Sequence, residues 1–179
     1  MTLAPEPTVR SNRAVHIIAA ARRILEDEGI DALTMRRLAT NVGMRAPSLY
    51  KHFPTKRAVE AALIEQGLIV FGQALHAAVE SPGDDGPVRS LLVAYRETAL
   101  ANPVLYLLSS SGPLPREDLA PGVEDWAGEP FFDAVGDPWR AQAMFSFAHG
   151  MVVLELNDRF PEGSDLDRTW AAGADAFAG

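Results

Sequence analysis

Residues 34–56 read TMRRLATNVGMRAPSLYKHFPTK, and this stretch decides how the chain around it folds. Thr34 predicts the start of a short helix over residues 35–42, because a threonine hydroxyl can accept a free backbone N–H of the first turn. Gly43 is expected to end that helix, since glycine readily adopts the positive φ found at helix C-termini. A second short helix over residues 46–52 then closes at Phe53-Pro54, because the residue before proline is pushed out of helical geometry.

Two short helices can cross closely only if small and apolar side chains stand at the right positions. Ala39 supplies a small side chain for the crossing, Gly43 supplies the turn, and Leu49 supplies an apolar side chain that faces inward. This order predicts a helix-turn-helix, in which the second helix lies in the major groove of DNA.

The other helices are predicted from apolar side chains at three- and four-residue spacing. We expect one over residues 12–28, capped by Ser11 or Asn12 and ended by Gly29, and a long one over residues 56–80, capped by Thr55. Further helices are predicted over residues 88–101, 104–108, 123–135, 138–158 and 164–177, the last capped by Ser164. The sequence has no internal repeat and no strand-like alternation. It therefore predicts an all-α protein of about nine helices.

Charge is divided unevenly along the chain. Residues 1–57 carry ten basic and five acidic side chains, a net of +5, whereas the whole chain has a net charge of -8 and its remainder therefore carries -13. Such asymmetry predicts two roles, with the basic end approaching a polyanion. We expect a flexible arm over residues 1–11, a DNA-binding domain over residues 12–60, and a helical domain for ligand binding and dimerisation over residues 61–179.

Composition argues against several other classes of protein. The chain has no cysteine, which removes disulfides, thiolate catalysis and Cys-ligated zinc, and which suits a reducing cytoplasm. Residues 1–12 lack the basic and apolar segments of a signal peptide. Residues 141–154, the most apolar stretch, are shorter than the roughly 18 residues that span a bilayer. We expect a cytoplasmic protein that uses no membrane, metal or cofactor.

The sequence also lacks the parts of an enzyme site. Its four histidines, at positions 16, 52, 76 and 149, are too scattered for a HExxH site. No glycine-rich phosphate loop is present, and the serines at 109–111 lack the G-x-S-x-G elbow. Glu155 lies about 240° round a helix from His149, so the two do not share a face as an acid/base pair would. We expect no enzymatic activity.

Residues 34–39 and 43–56 resemble the DNA-binding domain of the TetR family of bacterial regulators, over roughly residues 12–60. The resemblance implies two sets of contacts. Phosphates would be held by Thr34, Tyr50, Lys51, His52 and Lys56, and the bases would be faced by Arg45, Ala46, Pro47 and Ser48, with Arg36 near the groove. At the position of Arg45 the family often has Ser or Thr, which can cap a helix. Arginine instead offers a side chain that can bind guanine or a phosphate. The alternatives are a core position for Tyr50 and a solvated position without a role for His52.

Residues 147–156, FAHGMVVLEL, resemble the His-Gly and Leu-Glu pattern of a C-terminal domain type of this family that is sometimes called WHG, with Phe145 in place of its tryptophan. In such proteins the last two long helices form a four-helix interface with those of a second copy. The apolar stretch over residues 141–154 also suits a helix between a core and a partner. A homodimer is predicted, with an interface that includes Phe145, Ala148, Val152, Trp170, Ala174 and Phe177.

Aromatic and methionine side chains in the C-terminal part indicate a small-molecule site, although any one of them could simply fill a core. The resemblance implies a site between the long helix and the helices after it. The lining that we predict is Phe71, Tyr95, Tyr106, Trp126, Phe131, Met144 and Phe147. Residues 58–179 contain six arginines, no lysine and nineteen acidic residues, which disfavours polyanionic ligands. A neutral or cationic apolar ligand is expected.

These features together predict a dimeric transcriptional regulator that binds a roughly palindromic DNA operator. By the family's example it is a repressor, released when ligand binding swings the long helix as a lever. An activator would carry the same motif. The alternative is a helical dimer that binds an apolar ligand and has no role on DNA; the intact basic motif argues against it.

Overall fold

The computed structural model describes residues 4–110 and 112–179, and within these residues the chain is helical and contains no strand. Its α-helices are, in order, α1 (Asn12–Glu28), α2 (Met35–Asn41), α3 (Ala46–Tyr50), α4 (Lys56–Glu80), α5 (Gly86–Ala101), α6 (Pro103–Ser110), α7 (Val123–Val135), α8 (Pro138–Leu156) and α9 (Leu166–Ala178). The predicted all-α class is confirmed. The first three residues of the predicted arm, and one serine of the 109–111 run, lie outside the described residues.

Side-chain caps set where several helices begin. Ser11 and Thr34 cap α1 and α2 through hydrogen bonds of 3.2 and 3.1 Å from backbone N–H groups of the first turn. The prediction of Ser164 as the cap of α9 is wrong. Asp165 caps α9 instead, because its carboxylate accepts a backbone N–H at 3.0 Å, whereas the Ser164 hydroxyl donates to the carbonyl of Pro161.

The chain divides into two compact units. The N-terminal unit comprises Pro5–Leu68 and Val104–Val123, and the C-terminal unit comprises Ile69–Pro103 and Glu124–Gly179 together with residue 4. Helix α4 begins in the first unit and ends in the second without a break. The packing therefore divides the chain later than the predicted boundary at residue 60, and it assigns most of α6 to the unit that contains the helix-turn-helix.

The core of the N-terminal unit is built from the apolar faces of its helices. On α1 the buried side chains include Ile17, Ile18, Ile24 and Leu25, which is the face that the spacing predicts. Leu105 of α6 belongs to the same core. Each such side chain stabilises the fold by about 1.5–3 kcal/mol on burial, so this core fixes α2 and α3 and leaves their polar faces outside.

Helix α4 contributes to both units. It is long and apolar enough to cross a membrane by length and composition alone. In the N-terminal unit this apolarity is used in the core, where Val59, Ala62 and Leu63 are buried.

The C-terminal unit is centred on α5. This helix packs against α8 and α9 and buries Leu91, Leu92 and Tyr95. Helix α8 contributes Met144, Ala148 and Val152 to the interior, and α9 contributes Trp170 and Ala174. Both α8 and α9 thus give apolar side chains to the interior of their own chain.

Candidate nucleic-acid interface and ligand region

Helix α3 is held to the protein by one fully buried side chain. Leu49 has no exposed surface, and anchoring it inward turns the preceding residues outward. Arg45, Ala46, Pro47 and Ser48, which the sequence predicts to face bases, are consecutive and all exposed. Arg45 occupies the N-cap position without forming a side-chain cap, so its guanidinium is not needed to close the helix.

The residues predicted to hold phosphates surround α3 at the surface. Thr34, Tyr50, Lys51 and His52 are exposed, and Lys56 is half-buried. Tyr50 is 48% exposed, so it does not occupy the alternative position in the core. The Lys56 ammonium lies 3.3 Å from a carboxylate oxygen of Glu60, which compensates part of its charge.

The basic side chains of this surface fall into a paired and an unpaired group. Arg37 binds Glu28 at 2.7 Å, and this hydrogen bond raises the pKa of Arg37. Arg57 binds Glu117, with Asp118 at 3.7 Å. Arg36, Arg45 and Lys51, by contrast, form no ion pair within residues 4–110 and 112–179.

The turn before α3 combines the predicted glycine with one contact that the sequence did not reveal. Gly43 adopts a positive φ of 64°, as the turn requires. The guanidinium of Arg13 on α1 donates to the carbonyl of Val42 at 3.3 Å, just before that glycine. The two residues are 29 positions apart, which explains why no local pattern revealed the contact.

Part of the predicted ligand lining converges in the C-terminal unit. Phe71 meets Tyr95 edge-on at 5.6 Å between ring centroids, and Tyr95 meets Phe131 at 5.7 Å. Phe145, which was predicted for the dimer interface, joins them at 5.5 Å from Phe131. We call Phe71, Tyr95, Phe131 and Phe145 the aromatic cluster.

The remaining predicted lining residues lie apart from the aromatic cluster or are fully enclosed. Met144 is completely buried. Phe147 packs on Trp170 at 5.6 Å and on Phe177 at 5.9 Å. Tyr106 is buried in the N-terminal unit. The predicted lining is therefore distributed over several places.

The ring of Trp126 packs against α4 at Gly72 and His76, which are one helical turn apart. A Cβ added to Gly72 would stand 2.2 Å from the Trp126 ring, so only glycine leaves room for it. His76 stacks on the same ring at 4.9 Å, with an interplanar angle of 23°.

A proline inside α7 explains the other contact of His76. Pro130 has no N–H to give to the carbonyl of Trp126, four residues earlier in the helix. That carbonyl instead accepts a hydrogen bond from Nε2 of His76 at 2.9 Å, so Nε2 carries the proton. Histidine thus replaces the missing helical donor at a buried site.

One cleft, of about 220 Å³, lies between α5 and α9 of the C-terminal unit. A central charged side chain of its wall is already paired: Arg96 binds Glu155 at 2.7 Å and Asp167 at 2.6 Å, over the ring of Trp170. Small-molecule pockets usually measure about 300–1,000 Å³ and are mostly apolar. This cleft is smaller. No three His, Asp or Glu side chains of the described residues converge to hold a metal ion.

The residues predicted for the dimer interface differ in exposure. Ala148, Val152, Trp170 and Ala174 are buried within the chain, whereas Phe145 is 47% exposed and Phe177 is half-buried. Of the six, only the two phenylalanines have appreciable surface to offer a second copy.

Sequence comparisons match the N-terminal part of the chain. A family model described as bacterial regulatory proteins, tetR family, matches residues 17–63. An uncharacterized HTH-type transcriptional regulator, YobS, of Bacillus subtilis (strain 168) is 34% identical over 91 residues, which cover 50% of this chain and 47% of the relative. The tetracycline repressor protein class C of Escherichia coli is 40% identical over 76 residues, which cover 42% of this chain and 32% of the relative. The matches thus span less than half the length of these relatives.

Solved structures match almost the whole fold. A protein with unknown function from Rhodococcus sp. RHA1 superposes with a TM-score of 0.77 at 24% identity, covering 97% of both chains. At this identity the likeness concerns the fold alone. It extends the similarity from the N-terminal helices to the helices of the C-terminal unit.

Proposed function

The chain belongs to the tetR family of bacterial regulatory proteins, and on that premise we propose that it is a DNA-binding transcriptional regulator whose helix α3 reads the major groove. Membership of a family of DNA-binding regulators also agrees with the expectation that the chain has no enzymatic activity. The proposal includes action in the cytoplasm as a homodimer.

The observation that carries the proposal is the set of uncompensated cations around α3. Arg36, Arg45 and Lys51 have no acidic partner within the described residues, whereas Arg37 and Arg57 are engaged by carboxylates. When a cation without an internal partner neutralises a DNA phosphate, counterions condensed on the DNA are released, and this release supplies a large share of the affinity for DNA. An acidic protein that keeps these three charges without acidic partners on one surface is suited to bind a polyanion there.

Arg45 is the residue that we expect to distinguish base pairs. It precedes the first turn of α3 and closes no cap, and arginine is the side chain that most often reads guanine through its O6 and N7 atoms. Lys51 lies after the last residue of α3, a position suited to a phosphate contact.

These two roles are separable by experiment. DNA from around the protein's own coding region is titrated with the wild type, Arg45→Ala and Lys51→Ala, and selected binding sites are sequenced. Arg45→Ala should relax the preference at one position of each half-site and cost about 1–3 kcal/mol there. Lys51→Ala should weaken binding to all sequences and lower the salt slope by about one. The same site preference for all three proteins would contradict the assignment of Arg45.

A second copy is proposed to dock on the outer face of α8. This face carries the exposed side chains of Trp139 and Leu154, with the smaller Ala143, Ser146 and Gly150 between them at helical spacing. Trp139 is 76% exposed, and large apolar groups so exposed mark association surfaces when they are contiguous. The face differs from the predicted set, since it uses the residues of α8 that the chain's own core leaves free.

Sedimentation of variants tests this face. Trp139→Ser should shift the protein from dimer toward monomer, because a large exposed anchor is lost. Phe132→Ser removes a half-exposed aromatic from α7 and is the matched control that should remain dimeric. If Trp139→Ser sediments as the wild type does, the dimer interface does not include this face of α8.

Regulation by a ligand is the remaining part of the proposal. The aromatic cluster in the C-terminal unit is the place that we favour for a neutral or cationic apolar molecule, since aromatic faces attract both. Such a ligand would release the protein from its operator only by preferring the non-binding conformation, with the unbroken α4 as the lever. The alternative, a ligand-binding dimer with no role on DNA, is favoured if the wild type binds its own DNA no better than unrelated DNA.

A further inference from the structure

Glu65 is a carboxylate inside the N-terminal unit. It lies near the middle of α4 and is 1% exposed. Its Oε1 accepts the backbone N–H of Thr8 at 3.2 Å and the guanidinium of Arg10 at 2.6 Å. Its Oε2 accepts the Thr8 hydroxyl at 2.6 Å and the backbone N–H of Ala120 at 2.8 Å.

The four hydrogen bonds are what allow a charge at this site. A buried carboxylate is costly unless it is paired and hydrogen-bonded. Burial alone would raise the pKa of Glu65, but the hydrogen bonds from Thr8, Arg10 and Ala120 outweigh it and hold the pKa below its ordinary value. The carboxylate is thus ionised, and it depends on donors from two separate segments.

The first segment is the N-terminal arm. Thr8 and Arg10 immediately precede Ser11, the cap of α1, so fixing them fixes the start of that helix. Helix α1 in turn braces the turn before α3 through Arg13. Residues 8–10 were predicted to be flexible, yet their donors are tied to α4.

The second segment follows α6. Ala120 comes after the short 3-10 turn Arg116–Asp118, whose Glu117 and Asp118 side chains bind Arg57 near the start of α4. Thr8 and Ala120 lie 57 and 55 residues from Glu65, in opposite directions along the chain. A single side chain is therefore the meeting point of the arm and of residues 112–120.

We propose that Glu65 is a latch that couples the N-terminal arm to residues 112–120, so that displacement of either segment releases the other. With both segments in place the carboxylate has all its donors. When one segment leaves, the carboxylate loses the hydrogen bonds from that segment. It then turns toward water and breaks its hydrogen bonds to the other segment. Glu65 is in this sense a positioning residue for α1, and it acts whether or not DNA is bound.

The test measures each segment after loosening the other in the full-length protein. Thr8→Val removes a hydroxyl donor from the arm, and amide exchange is then followed at Ala120. Ala120→Pro removes the loop donor, and tryptic cleavage after Arg10 is then followed. The latch predicts that each rate rises by about tenfold or more over the wild type. Glu65→Gln should raise both rates together.

Two controls separate a latch from general loosening. Arg22→Ala breaks an exposed ion pair with Glu26 on α1 and should leave both rates unchanged. The amide of Leu92 in the core of the C-terminal unit should exchange at the wild-type rate in every variant. Unchanged exchange at Ala120 in Thr8→Val, or unchanged cleavage in Ala120→Pro, would overturn the coupling. A rise at Leu92 as large as that at Ala120 would also overturn it, since it would indicate global unfolding.

Discussion

Replacing His76 tests whether a histidine can supply a hydrogen bond that a proline has removed from a helix. His76→Phe keeps an aromatic ring against Trp126 but cannot donate to the Trp126 carbonyl, which His76 now meets at 2.9 Å. Because Pro130 offers no N–H, that carbonyl would lose the hydrogen bond that His76 supplies in its place. His76 is 7% exposed, so water has little access to the site.

The expected cost follows from that geometry. The loss of a donor to a buried acceptor destabilises a protein by about 1–3 kcal/mol. For a chain of this size, about 2 kcal/mol corresponds to a decrease in Tm of roughly 4–8 °C. Urea unfolding should show a lower midpoint with an unchanged slope.

Pro130→Ala is the partner that makes the test specific. Alanine restores an N–H four residues after Trp126, so the carbonyl regains a helical donor and no longer depends on His76. The double variant should then lose little relative to Pro130→Ala alone, which gives a coupling energy of about 1–2 kcal/mol. All four proteins are measured at one concentration, because dimerisation adds to apparent stability. An equal cost of His76→Phe in both backgrounds would refute the reasoning.

Two further predictions concern Gly72 and Glu65. Gly72→Ala places a Cβ against the rigid Trp126 ring and should lower the free energy of unfolding in urea by about 1–3 kcal/mol. The control is Gly128→Ala, in α7 with open space around its Cβ, which should be neutral or stabilise the protein by up to about 1 kcal/mol. The reverse order of the two variants would contradict the contact between Gly72 and Trp126. Because the pKa of Glu65 is lowered on folding, the stability that it contributes is present above the ordinary carboxyl pKa of 4.5 and is lost as the pH falls through the lower folded value. The difference in unfolding free energy between wild type and Glu65→Gln should therefore be largest near neutral pH and shrink in acid; a constant difference would indicate that the carboxylate is not ionised in the fold.

Local signals in the sequence predicted where most of the helices lie. The bounds of α1, α4 and α7 agree with the sequence interpretation, because periodic apolar residues are bordered there by clear start and stop residues. Thr55, for example, accepts the N–H of Ala58 at 3.1 Å, as expected of a cap. The exposure of residues 45–48 could also be predicted from the sequence, because Leu49 is the one strongly apolar side chain of α3 and therefore faces inward.

Long-range partners could not be predicted in the same way. Nothing near Glu65 in the sequence indicates that it binds Thr8, and nothing near His76 indicates Pro130. Helix α8 is apolar on several faces, so periodicity could not tell which residues enter the chain's own core. Ala148 and Val152 do so, while Trp139 does not. These distinctions depend on how helices pack, and each requires contacts between residues far apart in the sequence.

The surface around α3 is proposed to bind a specific DNA sequence, and a fluorescence anisotropy titration can measure that binding. The wild type and the double variant Tyr50→Ala, Lys51→Ala are titrated against DNA from around the coding region and against unrelated DNA, at several salt concentrations. The account predicts tight, salt-sensitive binding of the wild type to its own DNA, which the double variant loses. Equal and weak binding of the wild type to every DNA tested, with no change in the variant, would contradict it.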